Sequence, residues 1–86
     1  MFGIEFSNQA KKFLRNCENE LRVRIMTKLK SLKENPVPSD AKFIGRDKEG
    51  KIFRVRVGGI RIIYRDKDSE KVIIISKIDK RERVYD

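Results

Sequence analysis

Four arginines flank one glycine pair in this sequence: Arg54 and Arg56 lie before Gly58-Gly59, and Arg61 and Arg65 after it. A guanidinium is a planar fork with a permanent charge, and it grips phosphate oxygens two at a time. A row of such groups is a phosphate-binding surface. A second cluster closes the chain, in Lys80-Arg81-Glu82-Arg83-Val84-Tyr85-Asp86. Arginine with tyrosine can hold a phosphate while stacking on an unpaired base. Arg81, Arg83 and Tyr85 share parity, so an extended ending would present all three together. Taken alone, that ending would read as a solvated tail.

What the sequence lacks narrows the chemistry. It has no histidine and a single cysteine, Cys17. A histidine-based zinc site, a His–Ser or His–Cys dyad and a cysteine-only metal site are therefore all excluded. No metal and no cofactor is expected, and any reaction must run on Lys, Arg, Tyr, Ser, Thr, Asp or Glu. The formal net charge of +9 on 86 residues favours polyanionic partners: RNA, DNA, the ribosome or an acidic protein. A thermophile's charged surface would explain the 41% of charged residues but not the imbalance of sign.

A chain of this length is expected to form one domain, residues 1–86, burying roughly 60–65% of its unfolded surface. The longest strongly apolar run is Val72–Ile75, far too short to span a membrane. Met1-Phe2-Gly3-Ile4-Glu5 lacks the basic-then-apolar pattern of a signal peptide, and one cysteine permits no intrachain disulfide. A cytoplasmic protein is expected.

The elements that must position the arginines follow from periodicity. Ile4 and Phe6 alternate with Glu5 as a short strand, with Ser7 or Asn8 capping a first helix. Ala10, Phe13, Leu14 and Cys17 recur at helical spacing. A break falls at Asn16–Asn19, with Asn19 as the expected cap of a second helix. That helix is expected to bury Leu21, Ile25, Leu29 and Leu32 and to turn Arg22, Lys28, Lys30 and Lys33 to water. Asn35-Pro36-Val37-Pro38 stops it.

Strands fill the rest. Phe43-Ile44 is a short one, and Lys48-Glu49-Gly50 a turn. Phe53, Val55 and Val57 alternate up to Gly58-Gly59, which reads as a two-residue hairpin turn, and Ile60, Ile62 and Tyr64 alternate after it. The unbroken Val72-Ile73-Ile74-Ile75 predicts a central strand buried on both faces. The expected fold is α+β, in the order β-α-α-β-β-β-β, with a helical hairpin on one face of a mostly antiparallel sheet.

If the turn holds only the two glycines, Arg56 faces Arg61, Arg54 faces Ile63 and Val55 faces Ile62. Arg54, Arg56, Arg61, Ile63 and Arg65 then share one face, while Phe53, Val55, Val57, Ile60, Ile62 and Tyr64 join the core. Like charges directly across a ladder cost a few tenths to roughly 1 kcal/mol. No acid lies between Glu49 and Asp66 to relieve them, so an external anion is expected to supply the missing charge.

With these segments assembled, the sequence resembles the RelE/ParE superfamily of toxins from toxin–antitoxin pairs, most closely the RelE branch. The likeness rests on Phe53–Tyr64 with its Arg-Ile-Ile-Tyr after the turn, on the Lys80–Tyr85 ending, and on Pro36-Val37-Pro38. It spans essentially residues 4–85. It implies a ribosome-dependent endoribonuclease that cleaves messenger RNA in the A site without metal, the 2′-OH attacking the adjacent phosphate. By position, Arg54 and Arg56 match the basic pair before the turn, and Arg61 would stabilise charge on the phosphate. Arg81 would clamp that phosphate, and Tyr85 would stack on a base or move a proton. Lys51, Arg65, Lys80 and Arg83 are expected to add RNA contacts.

RelE-type nucleases often carry lysine where this chain has Arg54 and Arg56. Arginine cannot exchange a proton near neutral pH, which leaves Tyr85, then Lys80 or Lys51, as expected proton carriers. The implied partners are the ribosome and its message, and an acidic RelB-like antitoxin forming a hetero-oligomer; no membrane is implied. Two other readings remain open: a ParE-like inhibitor of DNA gyrase, and a family member that binds antitoxin or RNA without turnover.

Overall fold

Ser7 sets the boundary between the first strand and the first helix. Its extended backbone ends β1 (Gly3–Phe6), and its hydroxyl accepts from the Ala10 amide at 3.1 Å, capping α1 (Asn8–Asn16). The computed structural model describes residues 2–80, so Arg81, Arg83 and Tyr85 lie outside the described residues. A second helix, α2 (Asn19–Glu34), follows after two residues.

Two expectations at this junction are corrected. The cap of α2 is Glu18, with no side-chain hydrogen bond, and Asn19 is the first helical residue. Arg22 does not simply face water. Its Nε donates to the Leu14 carbonyl and its Nη2 to the Cys17 carbonyl, each at 2.8 Å. A helix C-terminus leaves carbonyls without intrahelical partners, and Arg22 reaches back across the break to serve those of α1.

Four further strands complete the sheet: β2 (Lys42–Asp47), β3 (Gly50–Val57), β4 (Ile60–Lys67) and β5 (Val72–Lys80), with a 3-10 turn at Asp68–Glu70 before the last. Their spatial order is β1-β5-β4-β3-β2; only β1 and β5 run parallel. The element order and the α+β architecture are those expected from sequence.

Both helices cover one face. Ala10 of α1 and Ile25, Leu29 and Leu32 of α2 pack with Phe53, Val55, Val57, Ile60, Ile62, Tyr64, Ile73, Ile75 and Ile78 in one buried core, which Leu21 joins only in part. Interior burial of such side chains contributes roughly 1.5–3 kcal/mol each before conformational entropy is set against it. Since only one face is covered, β5 is not buried on both sides as expected: Ile73 and Ile75 are buried, whereas Val72 and Ile74 are half-buried. Its place between β1 and β4 is nevertheless interior.

Three devices hold the sheet in register. The Tyr64 hydroxyl donates to the Pro36 carbonyl at 2.6 Å, tying the segment after α2 to the middle of the sheet. Beyond the end of β1, the Gln9 side chain bonds both backbone groups of Ile78, donating at 2.7 Å and accepting at 2.9 Å. A side-chain amide thereby extends the β1 edge along β5. The hairpin turn is tight, with Gly58 at φ +60°, the glycine-first pattern of a type II′ turn.

Candidate nucleic-acid interface

The β3–β4 ladder has the register that the glycine pair predicts: Val57 pairs with Ile60, Arg56 with Arg61, Val55 with Ile62 and Arg54 with Ile63. Arg54, Arg56, Arg61, Ile63 and Arg65 therefore lie on the face that the helices leave open. Arg56 is exposed, and Arg54, Arg61 and Arg65 are half-buried. Arginine stems lying along a sheet cover its apolar surface while the guanidinium heads stay at the edge of water.

Neighbouring strands add side chains that inspection of the hairpin alone did not find. Lys42 on β2 pairs with Arg54, so it shares the open face. On β5, Ile63 pairs with Lys77 but the next β4 residue, Tyr64, pairs with Ile75. Ser76 is thus an extra residue, a β-bulge, and such a bulge reverses which side chains face which way. Without it Lys77 would have the parity of buried Ile73 and Ile75. With it, Ile78 enters the core, and Lys77 and Asp79 reach the arginine face. One row across the sheet therefore reads Arg56, Arg61, Asp79, and the next reads Lys42, Arg54, Ile63, Lys77.

Asp79 corrects the electrostatic expectation. Its Oδ2 lies 3.3 Å from Arg61 Nη2 and 3.7 Å from Lys77 Nζ, so the arginine pair across the hairpin is relieved from within the chain. Arg54 and Arg56 have interactions of their own as well. The acid was invisible to a count between Glu49 and Asp66 because it arrives from the next strand. Its neutralisation is incomplete: Arg61 Nε and Asp79 Oδ1 are both shielded from solvent, and neither has a hydrogen-bond partner among the described residues.

The other expected contacts divide. Arg65 is on the face but engaged in holding strands together. Its Nε and Nη2 donate to Asp47 Oδ2 at 3.0 and 2.8 Å, and its Nη1 donates to Ser76 Oγ at 2.5 Å. Those bonds pull the Asp47 carboxyl below its ordinary value. Lys51 and Lys80 are not brought to the arginine face. Lys51 pairs with Asp66 and has the parity of Phe53; Lys80 pairs with Ile60, on the helix side, beside Gln9 and Phe13. Tyr64 is fully buried, and burial raises its phenol well above the usual value, so it stays neutral. No group of acids and cysteines among the described residues is arranged to hold a metal ion.

What this face can do is bind a chain of phosphates. Cations from four strands stand on this surface beside the half-buried Ile52, Ile63 and Ile74, while the helices cover the opposite side. No helix among the described residues is long and apolar enough to cross a membrane.

Comparison with known proteins agrees in fold and in sequence. The family model described as the ParE toxin of the type II toxin–antitoxin system parDE matches residues 4–85. A Methanocaldococcus jannaschii protein named as a candidate toxin, RelE1, is 31% identical over 98% of this chain and 94% of its own length. The crystal structure of the archaeal RelE–RelB complex from Pyrococcus horikoshii contains a chain that superposes with a TM-score of 0.86, at 26% identity over 96% of this chain and 98% of that one. The isolated Escherichia coli RelE toxin superposes with a TM-score of 0.77 at 23% identity, covering 96% of this chain and 87% of its own, which supports the fold alone.

Proposed function

Because this chain belongs to the RelE/ParE superfamily of type II toxin–antitoxin toxins, we propose that it is a ribosome-dependent endoribonuclease cutting messenger RNA in the A site. The observation that carries this reading is the arginine row: Arg56 opposite Arg61, with Arg54 and Lys77 beside them, on the sheet face that no helix covers. The reaction is a metal-independent transesterification. The 2′-oxygen attacks the adjacent phosphorus, the bond to the 5′-oxygen breaks, and a 2′,3′-cyclic phosphate and a 5′-hydroxyl result. Extra negative charge develops on the phosphoryl oxygens, and preorganised cations that meet it there lower the barrier. Arg61 takes that role in this reading, with Arg54 and Arg56 holding the flanking backbone; Arg81 and Tyr85 complete the set by resemblance.

The partner that restrains it is an acidic antitoxin, whose carboxylates match the +9 charge and this face. The toxin acts in the cytoplasm, where ribosomes are. A second reading, inhibition of DNA gyrase by a ParE-like toxin, is favoured by the description of the matching family model.

One experiment separates them. The protein is expressed under tight control and the 5′ ends of translated messages are mapped. Codon-positioned cuts that disappear in Arg61→Ala and Arg81→Ala are expected. Growth arrest with intact messages and altered DNA supercoiling would instead establish the gyrase reading.

A further inference from the structure

Cleavage by this route needs a proton for the departing 5′-oxygen, and the arginines that dominate the face cannot supply one at physiological pH. Lys51 and Lys80 stand on the other side of the sheet. Among the described residues, the titratable cations on the arginine face are Lys67 at the far end of β4, paired there with Glu70, and Lys42 on β2 and Lys77 on β5. Lys42 and Lys77 stand at opposite ends of one row. Three strand spacings, about 14 Å, separate their backbones. Both cannot attend one phosphate.

Lys77 is the one that converges with Arg61. Nζ of Lys77 and Nη2 of Arg61 approach the same oxygen, Asp79 Oδ2, at 3.7 and 3.3 Å. A single carboxylate oxygen thus marks a point that a fixed charge and a proton-bearing ammonium both reach. A phosphate oxygen displacing it would be held by one and lie within reach of the other's proton. The bulge at Ser76 is what brings this about, since it turns Lys77 out of the core side of β5. The Lys77 side chain is 55% exposed, free enough to swing from Asp79 to a bound strand. The charged groups facing it are Asp79 on its own strand, Arg61 on β4 and, along the row, Arg54 on β3.

We propose that Lys77 is the general acid of the cleavage step, donating its ammonium proton to the 5′-oxygen as the phosphorus–oxygen bond breaks. The inference rests on the nuclease reading above. The electron pair of the breaking bond goes to the 5′-oxygen, which takes the Lys77 proton; the 2′-hydroxyl proton leaves to solvent water, and the neutral lysine is reprotonated from water. No co-reactant is consumed.

The test compares programmed ribosomes carrying an ordinary message with ones whose scissile 5′-oxygen is replaced by sulfur, a leaving group that needs no proton. Lys77→Ala and Lys77→Arg are expected to slow single-turnover cleavage of the oxygen substrate by about 10²–10⁴-fold, the usual worth of general acid catalysis. Both variants are expected to cleave the sulfur substrate within a few-fold of the unaltered protein. Lys42→Ala is expected to weaken binding and to lose equally on both substrates. Equal loss on both substrates in the Lys77 variants, or no loss, would overturn the assignment; so would sulfur rescue of Lys42→Ala instead. An unaltered protein that cleaves neither message would remove the nuclease reading and this role with it.

Discussion

Arg61 and Asp79 face each other across the β4–β5 ladder, with Nη2 of the arginine 3.3 Å from Oδ2 of the aspartate. Each side chain retains about a quarter of its surface, so the pair is neither a buried bridge nor a loose surface contact. A phosphate approaching Arg61 must compete with this carboxylate. Asp79→Asn is therefore expected to tighten single-stranded RNA binding by up to about fivefold at low salt, matching the upper end for partly exposed ion pairs. The log–log salt dependence should steepen by up to about 0.7, as for one further phosphate contact. Fluorescence anisotropy over a salt series measures both. Weaker binding would mean that the carboxylate holds Arg61 in place rather than shielding it.

Arg65 looks from sequence like a member of the phosphate-binding row, but it links Asp47, at the end of β2, to Ser76 on β5. Arg65→Met is expected to lower Tm while leaving RNA affinity within about twofold, the reverse of a phosphate contact. The effect depends on pH in a definite sense. Arg65 hydrogen bonds lower the folded-state pKa of Asp47, so their stabilisation is present above the unfolded value near 3.9 and is lost as pH falls through the lowered folded one. The Tm difference between the two proteins should thus narrow below about pH 4. It should not vanish, because the Ser76 bond does not titrate.

Tyr64 closes the Arg-Ile-Ile-Tyr segment that carries the family resemblance, yet its task is structural. Its ring stacks on Phe53 with centroids 5.7 Å apart, and its hydroxyl is bonded to the Pro36 carbonyl. Tyr64→Phe keeps the stacking and leaves that carbonyl short of a donor, at a cost of about 1–2 kcal/mol. Thermal melts should show a fall of about 4–8 °C for each kcal/mol. Activity per folded molecule should be unchanged, whereas a proton-carrying tyrosine would lose turnover without losing Tm.

Asp66 is shifted in the opposite direction to Asp47. Burial, then the nearby charge of Asp68, raises its pKa, and its Oδ1 is shielded without a hydrogen-bond partner among the described residues. A carboxyl raised in the folded state binds protons there more readily than in the unfolded chain, so its ionised form opposes folding at neutral pH. Asp66→Asn is expected to raise Tm at pH 7. The gain should shrink as pH falls through the raised value, where the native carboxyl is itself neutral. Melts between pH 4 and 7 decide it; a gain independent of pH would assign the effect to packing instead.

Local patterns carried most of the fold, and what they missed shares one physical origin. Strand alternation and the glycine pair determine the β3–β4 register, because both are encoded within a dozen residues. The bulge at Ser76 is different. Nothing in Ile75-Ser76-Lys77 marks an inserted residue, and a one-residue offset sends every later side chain to the other face. Lys77 and Asp79 were therefore illegible as site residues until β5 was paired. Arg22 was misread for a similar reason: its partners are carbonyls of the preceding helix, set by how two helices meet and not by its place on one. Lys51 and Lys80 lie near the arginines in sequence, but the parity of Phe53 puts Lys51 on the helix side and the bulge puts Lys80 there.

The two turn glycines look equivalent in sequence and are not in structure. Gly58 has φ +60°, and a methyl group built on it would lie 3.2 Å from Nη1 of Arg24, whose guanidinium rests on the hairpin tip. Gly59 is not among the positive-φ residues and has nothing within 4 Å of such a methyl. Left-handed backbone costs an L-residue roughly 1–2 kcal/mol, so Gly58→Ala should destabilise by about that amount. Gly59→Ala should be neutral or stabilising by up to about 1 kcal/mol, since alanine has less freedom to lose on folding. The tip also fixes the register that sets Arg56 opposite Arg61. RNA affinity should fall in Gly58→Ala even at temperatures where the protein is fully folded, and should hold in Gly59→Ala. Equal behaviour of the two variants, in urea titrations and in binding, would show that the turn tolerates a second geometry and that the arginine pair does not depend on this one.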